Sequence, residues 1–248
     1  MKNERSEAVI LYMLRHYINF NVTDPMSEAS RGATPYTSYF SGDGTSGQIN
    51  YLELKPATGS TPIVQVYVGG AWVTKAATTD YVLTGTTGEI AWSVYTPPIG
   101  TDNIKLTYTA IKGWVYDDHP NLDSNYFPRI TVLLVGNDRE DPGMGIYTNY
   151  TTGIGQLMAH RVKLIVRHRR NTPNEGYVYN GIHLKNRDII LTIGKAITDY
   201  LNANRHPRPW KFFDWMVLRD EPIFSEEDSD GILRQDITAS VKIFEGPA

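Results

Sequence analysis

The sequence contains no cysteine. That excludes a disulfide framework, a thiolate metal site and a cysteine nucleophile together. Long hydrophobic runs are missing as well, since no stretch approaches the roughly 18 consecutive apolar residues that span a bilayer. The opening "MKNERSEAVILYMLRHY" mixes charged with apolar residues and lacks the cleavage pattern of a secretory leader, and the absence of cysteine fits assembly in a cytoplasm. Charge of one sign is not in excess either. A net charge of −3 excludes the whole chain as an electrostatic nucleic-acid binder. The 248 residues are 41 % hydrophobic, enough to build one large domain or two smaller ones.

Catalytic signatures are absent in the same way. There is no P-loop, no G-x-S-x-G elbow and no H-E-x-x-H. "GMGIYT" and "GIGQLM" begin like dinucleotide loops but lack the third glycine and the strand-to-helix context. The histidines His16, His119, His160, His168, His183 and His206 are scattered. His160 and His168 share strand parity but are too far apart along a straight strand to ligate one metal ion. In "EEDSDG", Glu226, Asp228 and Asp230 alternate before Gly231 like the first half of a calcium loop. The twelfth position is Ile237, however, where a bidentate carboxylate is needed, so a solvated acidic loop is expected. "YDDHPNLDSNYFP" brings Asp117, Asp118 and Asp123 near His119 and reads as a polar junction. The chain is therefore expected to be no enzyme, with no catalytic residues, no cofactor and no metal.

What is present is a change of period. Val9, Ile10, Met13, Leu14, Tyr17 and Ile18 recur at three- and four-residue spacing, which predicts an amphipathic helix over 6–19. Residues 26–47, rich in Ser, Thr, Gly and Pro, read as a linker or extended arm. Between Gln48 and Lys112 the period becomes two: "INYLELK", "IVQVYV", "AWVTK", "DYVLT", "GEIAWS" and "NIKLTYTA" are separated by Gly and Pro turns. This predicts an inserted all-β, sandwich-like domain at 48–112. Its aromatics Tyr67, Trp72, Tyr81, Trp92 and Tyr95 leave open a carbohydrate-binding or adhesion role. "PRITVLLV" and "HRVKLIVRH" read as strands, 186–203 as a helix, and "RQDITASVKIF" as a strand. In that last strand Ile237, Ala239, Val241 and Ile243 point inward, and Asp236, Thr238, Ser240 and Lys242 outward. The connection Gly136–Gly155 is long and dense in turn-forming residues, as a functional arm would be.

The expected fold class is thus α+β. A small mixed or antiparallel sheet packed with helices (residues 1–47 and 113–248) carries the inserted β-domain. Charge within the core is uneven. The run Arg161, Lys163, Arg167, His168, Arg169 and Arg170 contrasts with Asp220, Glu221, Glu226, Glu227, Asp228 and Asp230. Arg167, Arg169 and Arg170 on one side, and Asp220, Glu226, Glu227 and Asp228 on the other, are the candidate contacts between neighbouring subunits or with a partner.

Laid out in this order, the outer chain resembles the tail terminator family of tailed phages and viruses, which cap a finished tail and join it to the head. The resemblance rests on the N-terminal helix, on "YFPRITVLLV" and "GQLMAHRVKLIVRHRRN", and on "RDIILTIGKAITDYLNAN" followed by "DEPIFSEEDSDGILRQDITASVKIF". It covers roughly 1–24 and 125–246, and the inserted β-domain is a departure from it. "DYVLTGTTGEIAW" with "PPIGTDNIKLTYTA" is itself similar to small β-domains that decorate phage structural proteins. The resemblance implies a virion protein assembled in the host cytoplasm into a homo-oligomeric, hexameric ring. Its implied partners are the tail tube protein, adjacent neck or connector proteins and, in a contractile tail, the sheath. DNA would pass through the channel without sequence-specific binding, and no membrane is involved. Another neck or tail component, such as a head-completion or tube-associated protein, is the alternative.

Overall fold

The structure, a computed structural model, describes residues 6–116, 127–140, 156–169, 178–179, 182–204, 214–220, 224–225 and 231–245. Helix α1 (Ser6–Asn21) forms because Ile10, Met13, Leu14, Tyr17 and Ile18 fall on one buried stripe. Two compact units then emerge. One is Met26–Gly113 together with Asn19–Asn21, and the other holds Lys2–Ile18, Val22–Pro25 and Trp114–Ala248.

The first unit opens with α2 (Glu28–Arg31), whose N-cap Ser27 accepts a hydrogen bond from the Ser30 N–H. Seven strands follow: β1 (Ala33–Gly42), β2 (Ile49–Tyr51), β3 (Ile63–Val68), β4 (Ala71–Lys75), β5 (Tyr81–Thr84), β6 (Glu89–Trp92) and β7 (Gly100–Ile111). They make two antiparallel sheets, ordered β1-β7-β3-β4 and β2-β6-β5. Alternate residues turn inward: Val64, Val66, Ile104 and Leu106 from the larger sheet, Tyr81, Ile90 and Trp92 from the smaller. Leu52, Leu54 and Phe20 complete that core. Gly69 and Gly70 join β3 to β4 with positive φ at both, the geometry that a two-residue hairpin turn with a right-handed twist requires.

Residues 33–42, expected to belong to a linker, are instead β1, paired to β7 from Ala33↔Ile111 to Gly42↔Gly100. Their Ser and Thr content suggested a flexible chain. The alternating exposure along the strand shows β-branched and aromatic residues lying on a pleated surface.

The second unit contains β8 (Val115–Tyr116), β9 (Arg129–Glu140), β10 (Gln156–Arg169), β11 (Val178–Tyr179), β12 (Ile182–His183), α3 (Asn186–Ala203), β13 (Asp214–Asp220), β14 (Phe224–Ser225) and β15 (Ile232–Glu245). Its main sheet runs β13-β15-β10-β9-β8, with β14 paired to β15. All neighbours are antiparallel except β8 and β9. Helix α3 lies over β10, β13 and β15 through Ile190, Ile193, Ile197 and Leu201. Gly194 lets the helix approach, because a β-carbon there would collide with the Gln235 side chain.

The expected α+β class is overturned. Among the described residues there are fifteen strands and three helices, one of them only four residues long, so the molecule is sheet-dominated. Two causes are visible. Thr- and Ser-rich segments expected as connections are strands, and the strands of the outer chain run longer than their apolar centres. β9 was expected to stop before Gly136, yet it continues to Glu140 opposite β10, absorbing the turn-forming residues through a bulge near Leu134–Gly136. The rest of that expected arm, 141–155, lies outside the described residues.

Candidate functional site

The sequence of β10 alternates two kinds of side chain, and the register across β9, β10 and β15 sorts them onto opposite faces. Val162, Leu164, Val166 and His168 share a face with Gln235, Ile237, Ala239 and Val241, and α3 covers it. The other face carries the charge. Arg129, Arg167 and Arg234 stand opposite one another in a single row across three strands, with Thr131, Ile165 and Asp236 forming the next row.

These cations are held rather than scattered. Arg129 and Arg167 are buried, and Arg167 Nη1 donates to Thr131 Oγ1 at 3.1 Å. The guanidinium carbons of Arg129 and Arg169 lie 4.6 and 5.4 Å from the centre of the buried Phe127 ring, within cation–π range of its electron-rich face. Arg234 forms a fork on Asp236, Nε to Oδ1 at 2.6 Å and Nη2 to Oδ2 at 2.9 Å. Lys163 Nζ reaches the same carboxylate at 2.5 Å. Burial by itself pushes the Asp236 carboxyl up, but the hydrogen bonds and charges of Arg234 and Lys163 outweigh it and hold the group below the usual range.

Among the side chains described on this face, Arg129, Arg161, Lys163, Arg167, Arg169, Arg234 and Lys242 are cationic, and Asp236 is the single acid. The chain as a whole is net negative. Basic side chains predominate among those described on this face, although the register also places Asp138, Glu140 and Asp214 at positions along it. Arg161 is exposed, while Lys163, Arg169, Arg234 and Lys242 retain partial exposure, so part of the charge on this face reaches solvent.

The residues singled out from sequence fare unevenly. Arg167 was expected to emerge for a neighbour, and it lies buried against Thr131 instead. Arg169, at the end of β10, leans toward Phe127 and stays half-buried. Arg170, Glu226, Glu227 and Asp228 lie outside the described residues. Asp220 closes β13 opposite Ile237, and its side chain is outside them too. Asp236, expected to point outward into solvent, is on the expected face but buried. Arg129, Arg234 and Phe127 were missed. Each is unremarkable in its own segment: register brings Arg129 and Arg234 into the row, and Phe127 adjoins it through Arg129 and Arg169.

On the helix-covered face His160 and His168 are both buried. His168 Nε2 meets Asn186 Oδ1 at 3.2 Å, where α3 begins. Burial pulls His168 down to about 4, opposed by that hydrogen bond, so the ring is neutral at neutral pH. Among the described residues no group of His, Asp and Glu side chains could hold a metal ion, and no helix is long and apolar enough to cross a membrane. The acidic residues near His119 and in the calcium-like loop lie outside the described residues, apart from Gly231. No protein-family model matches this chain, and no curated protein matches it.

Proposed function

We propose that this chain is a structural protein of a tailed virus particle, a ring-forming tail terminator at the junction of tail and head. The observation that supports this most is the division of labour between the two faces of the large sheet. One face is apolar and is covered by the chain's own helix α3. The other is set with basic side chains, of which Arg161 is exposed and Lys163, Arg169, Arg234 and Lys242 are partly so. In a closed ring each subunit offers two different surfaces to its neighbours, so a basic patch must meet a complementary patch from elsewhere on the same chain. The acidic stretch Asp220–Asp230 supplies the opposite charge.

In this proposal no chemistry is performed. The ring is a hexamer that caps the tail tube, meets the neck proteins and lets DNA pass without reading its sequence. The β-sandwich unit is a decoration on that ring. Native mass spectrometry and negative-stain imaging of the purified chain at low and high salt test it. Closed rings at low salt that loosen as salt rises are expected. A monomer at every salt and protein concentration overturns the proposal.

A further inference from the structure

The outer face of the β1-β7-β3-β4 sheet carries three aromatic rings in file. The Tyr39 and Trp72 ring centres are 6.1 Å apart, and those of Trp72 and Tyr67 are 5.3 Å apart. Tyr39 belongs to β1 and Trp72 to β4, the two edge strands of that sheet. The indole must therefore lie along the surface, over β3 and β7, to meet Tyr39. Lys105 Nζ on β7 sits 5.8 Å from the indole centre and helps hold it there. The rings remain open to solvent, with Tyr39 at 51 %, Tyr67 at 46 % and Trp72 at 37 %.

This exposure is not a failure to fill the core. Tyr81 and Trp92 of the same unit are fully packed inside it, at 2 % each. The unit thus sorts its aromatics, sending Phe20, Tyr51, Tyr81, Trp92 and Tyr108 inward and leaving Tyr39, Trp72 and Tyr67 in contact on the outer surface. Exposed patches of this kind mark binding surfaces. Beside the rings lie the neutral hydrogen-bonding side chains Gln65 and Thr74, bonded to each other at 3.4 Å, and Thr37 opposite Thr107, together with Lys105 and the exposed Ile63.

We propose that Tyr39, Trp72 and Tyr67 form a binding platform for a neutral polysaccharide. The C–H faces of a pyranose ring are apolar and slightly electropositive, so they stack on the electron-rich faces of Trp and Tyr. The sugar hydroxyls need donors and acceptors alongside, which Gln65, Thr74, Thr37 and Thr107 provide. Three neighbouring rings, tilted 56° and 60° to one another, offer stacking faces to successive sugars of a chain rather than to a single one. A single-stranded nucleic acid also stacks on aromatics, but it needs a track of cations for its phosphates. Among the described residues Lys105 is the one cation beside this strip, and it is engaged with Trp72. The inference is independent of ring assembly, because it concerns the β-sandwich unit by itself.

Native affinity electrophoresis of the full chain tests it, in gels cast with a soluble β-glucan, a galactomannan, a xylan or a dextran, beside a gel with none. Retardation in at least one polysaccharide is expected. Trp72→Ala should weaken it about tenfold, by analogy with the loss of one aromatic ring stacked on a nucleic-acid base, with smaller losses for Tyr67→Ala and Tyr39→Ala. Val94→Ala, at a site 80 % exposed and away from the strip, should migrate as the parent does. Circular dichroism checks that each variant is folded, and Trp72→Phe should restore part of the binding. Overturning results are no retardation in any gel, retardation that Trp72→Ala leaves unchanged, or tighter binding to a single-stranded oligonucleotide than to every polysaccharide. Ring formation is scored separately by native mass, where Trp72→Ala should match the parent, so each proposal can fail without the other.

Discussion

Lys163 of β10 and Asp236 of β15 form an ion pair of 2.5 Å in which the carboxylate is buried and the ammonium is about a quarter exposed. Arg234 reaches the same carboxylate from two residues away. Asp236→Asn leaves both cations on a face already crowded with positive charge. A loss of roughly 3 kcal/mol is expected, because removing one partner of a buried pair strands the charges that remain. Denaturant midpoints of the two proteins measure it. The sign with pH follows from the lowered Asp236 carboxyl: its contribution is complete above pH 3.8 and is lost as pH falls through the lower folded value.

His168 titrates in the same sense, over a higher pH window. Its folded value, about 4, lies below the ordinary 6.5, so between those limits the unfolded chain binds more protons than the folded one. Stability is therefore full above pH 6.5 and declines as pH falls toward 4, by roughly 3 kcal/mol at about 1.4 kcal/mol per pKa unit. His168→Gln keeps a donor for Asn186 and removes the titration. Its stability should be flat across that window, and a slope matching the parent's would show that another group is responsible.

Where the β-sandwich unit is cut decides whether the remainder folds. Removing 48–112, the boundary suggested by sequence, takes away β7 and leaves β1 without its partner. Excising 26–113 and bridging with a short Gly/Ser linker removes the sandwich strands together. The second deletion should stay soluble and cooperative, and the first should aggregate through the bare β1 edge. Light scattering and thermal unfolding distinguish them.

Phe20 sits in the core of the sandwich, and its ring closes over Gly88, which has φ 66°. Phe20→Ala should cost about 3 kcal/mol of that unit's stability by opening a cavity. Gly88→Ala should also be destabilising, because a β-carbon would collide with the ring and the backbone there disfavours side chains. Near-ultraviolet circular dichroism together with denaturant unfolding reads both.

Charge reversal tests the subunit contact. Arg169→Glu with Arg170→Glu should weaken ring assembly, and Glu226→Lys with Glu227→Lys in the same chain should partly restore it. Single rim pairs contribute only about 0–1 kcal/mol and are screened by salt, so the effect should be largest at low ionic strength. If assembly is untouched by the arginine reversal, the acidic stretch is not the partner, and cations facing DNA in the channel become the better account.

Periodicity alone made several elements of this chain legible. The three- and four-residue spacing of α1 and α3 and the alternation in Ile237, Ala239 and Val241 follow from where a side chain must point on a helix or a strand. What a segment pairs with is not written in its own residues. Ala33–Gly42 looked like a linker until β7 supplied its hydrogen-bonding partner, which is why a sheet-dominated molecule looked like α+β. The cationic row has the same origin, since Arg129, Arg167 and Arg234 are far apart in sequence and meet only through the register of three strands. So do Tyr39 and Trp72, on opposite edge strands joined by one indole lying across the sheet. Local pattern sets which face a residue takes, whereas long-range strand pairing sets its neighbours, and a site made of neighbours exists only once the sheets have formed.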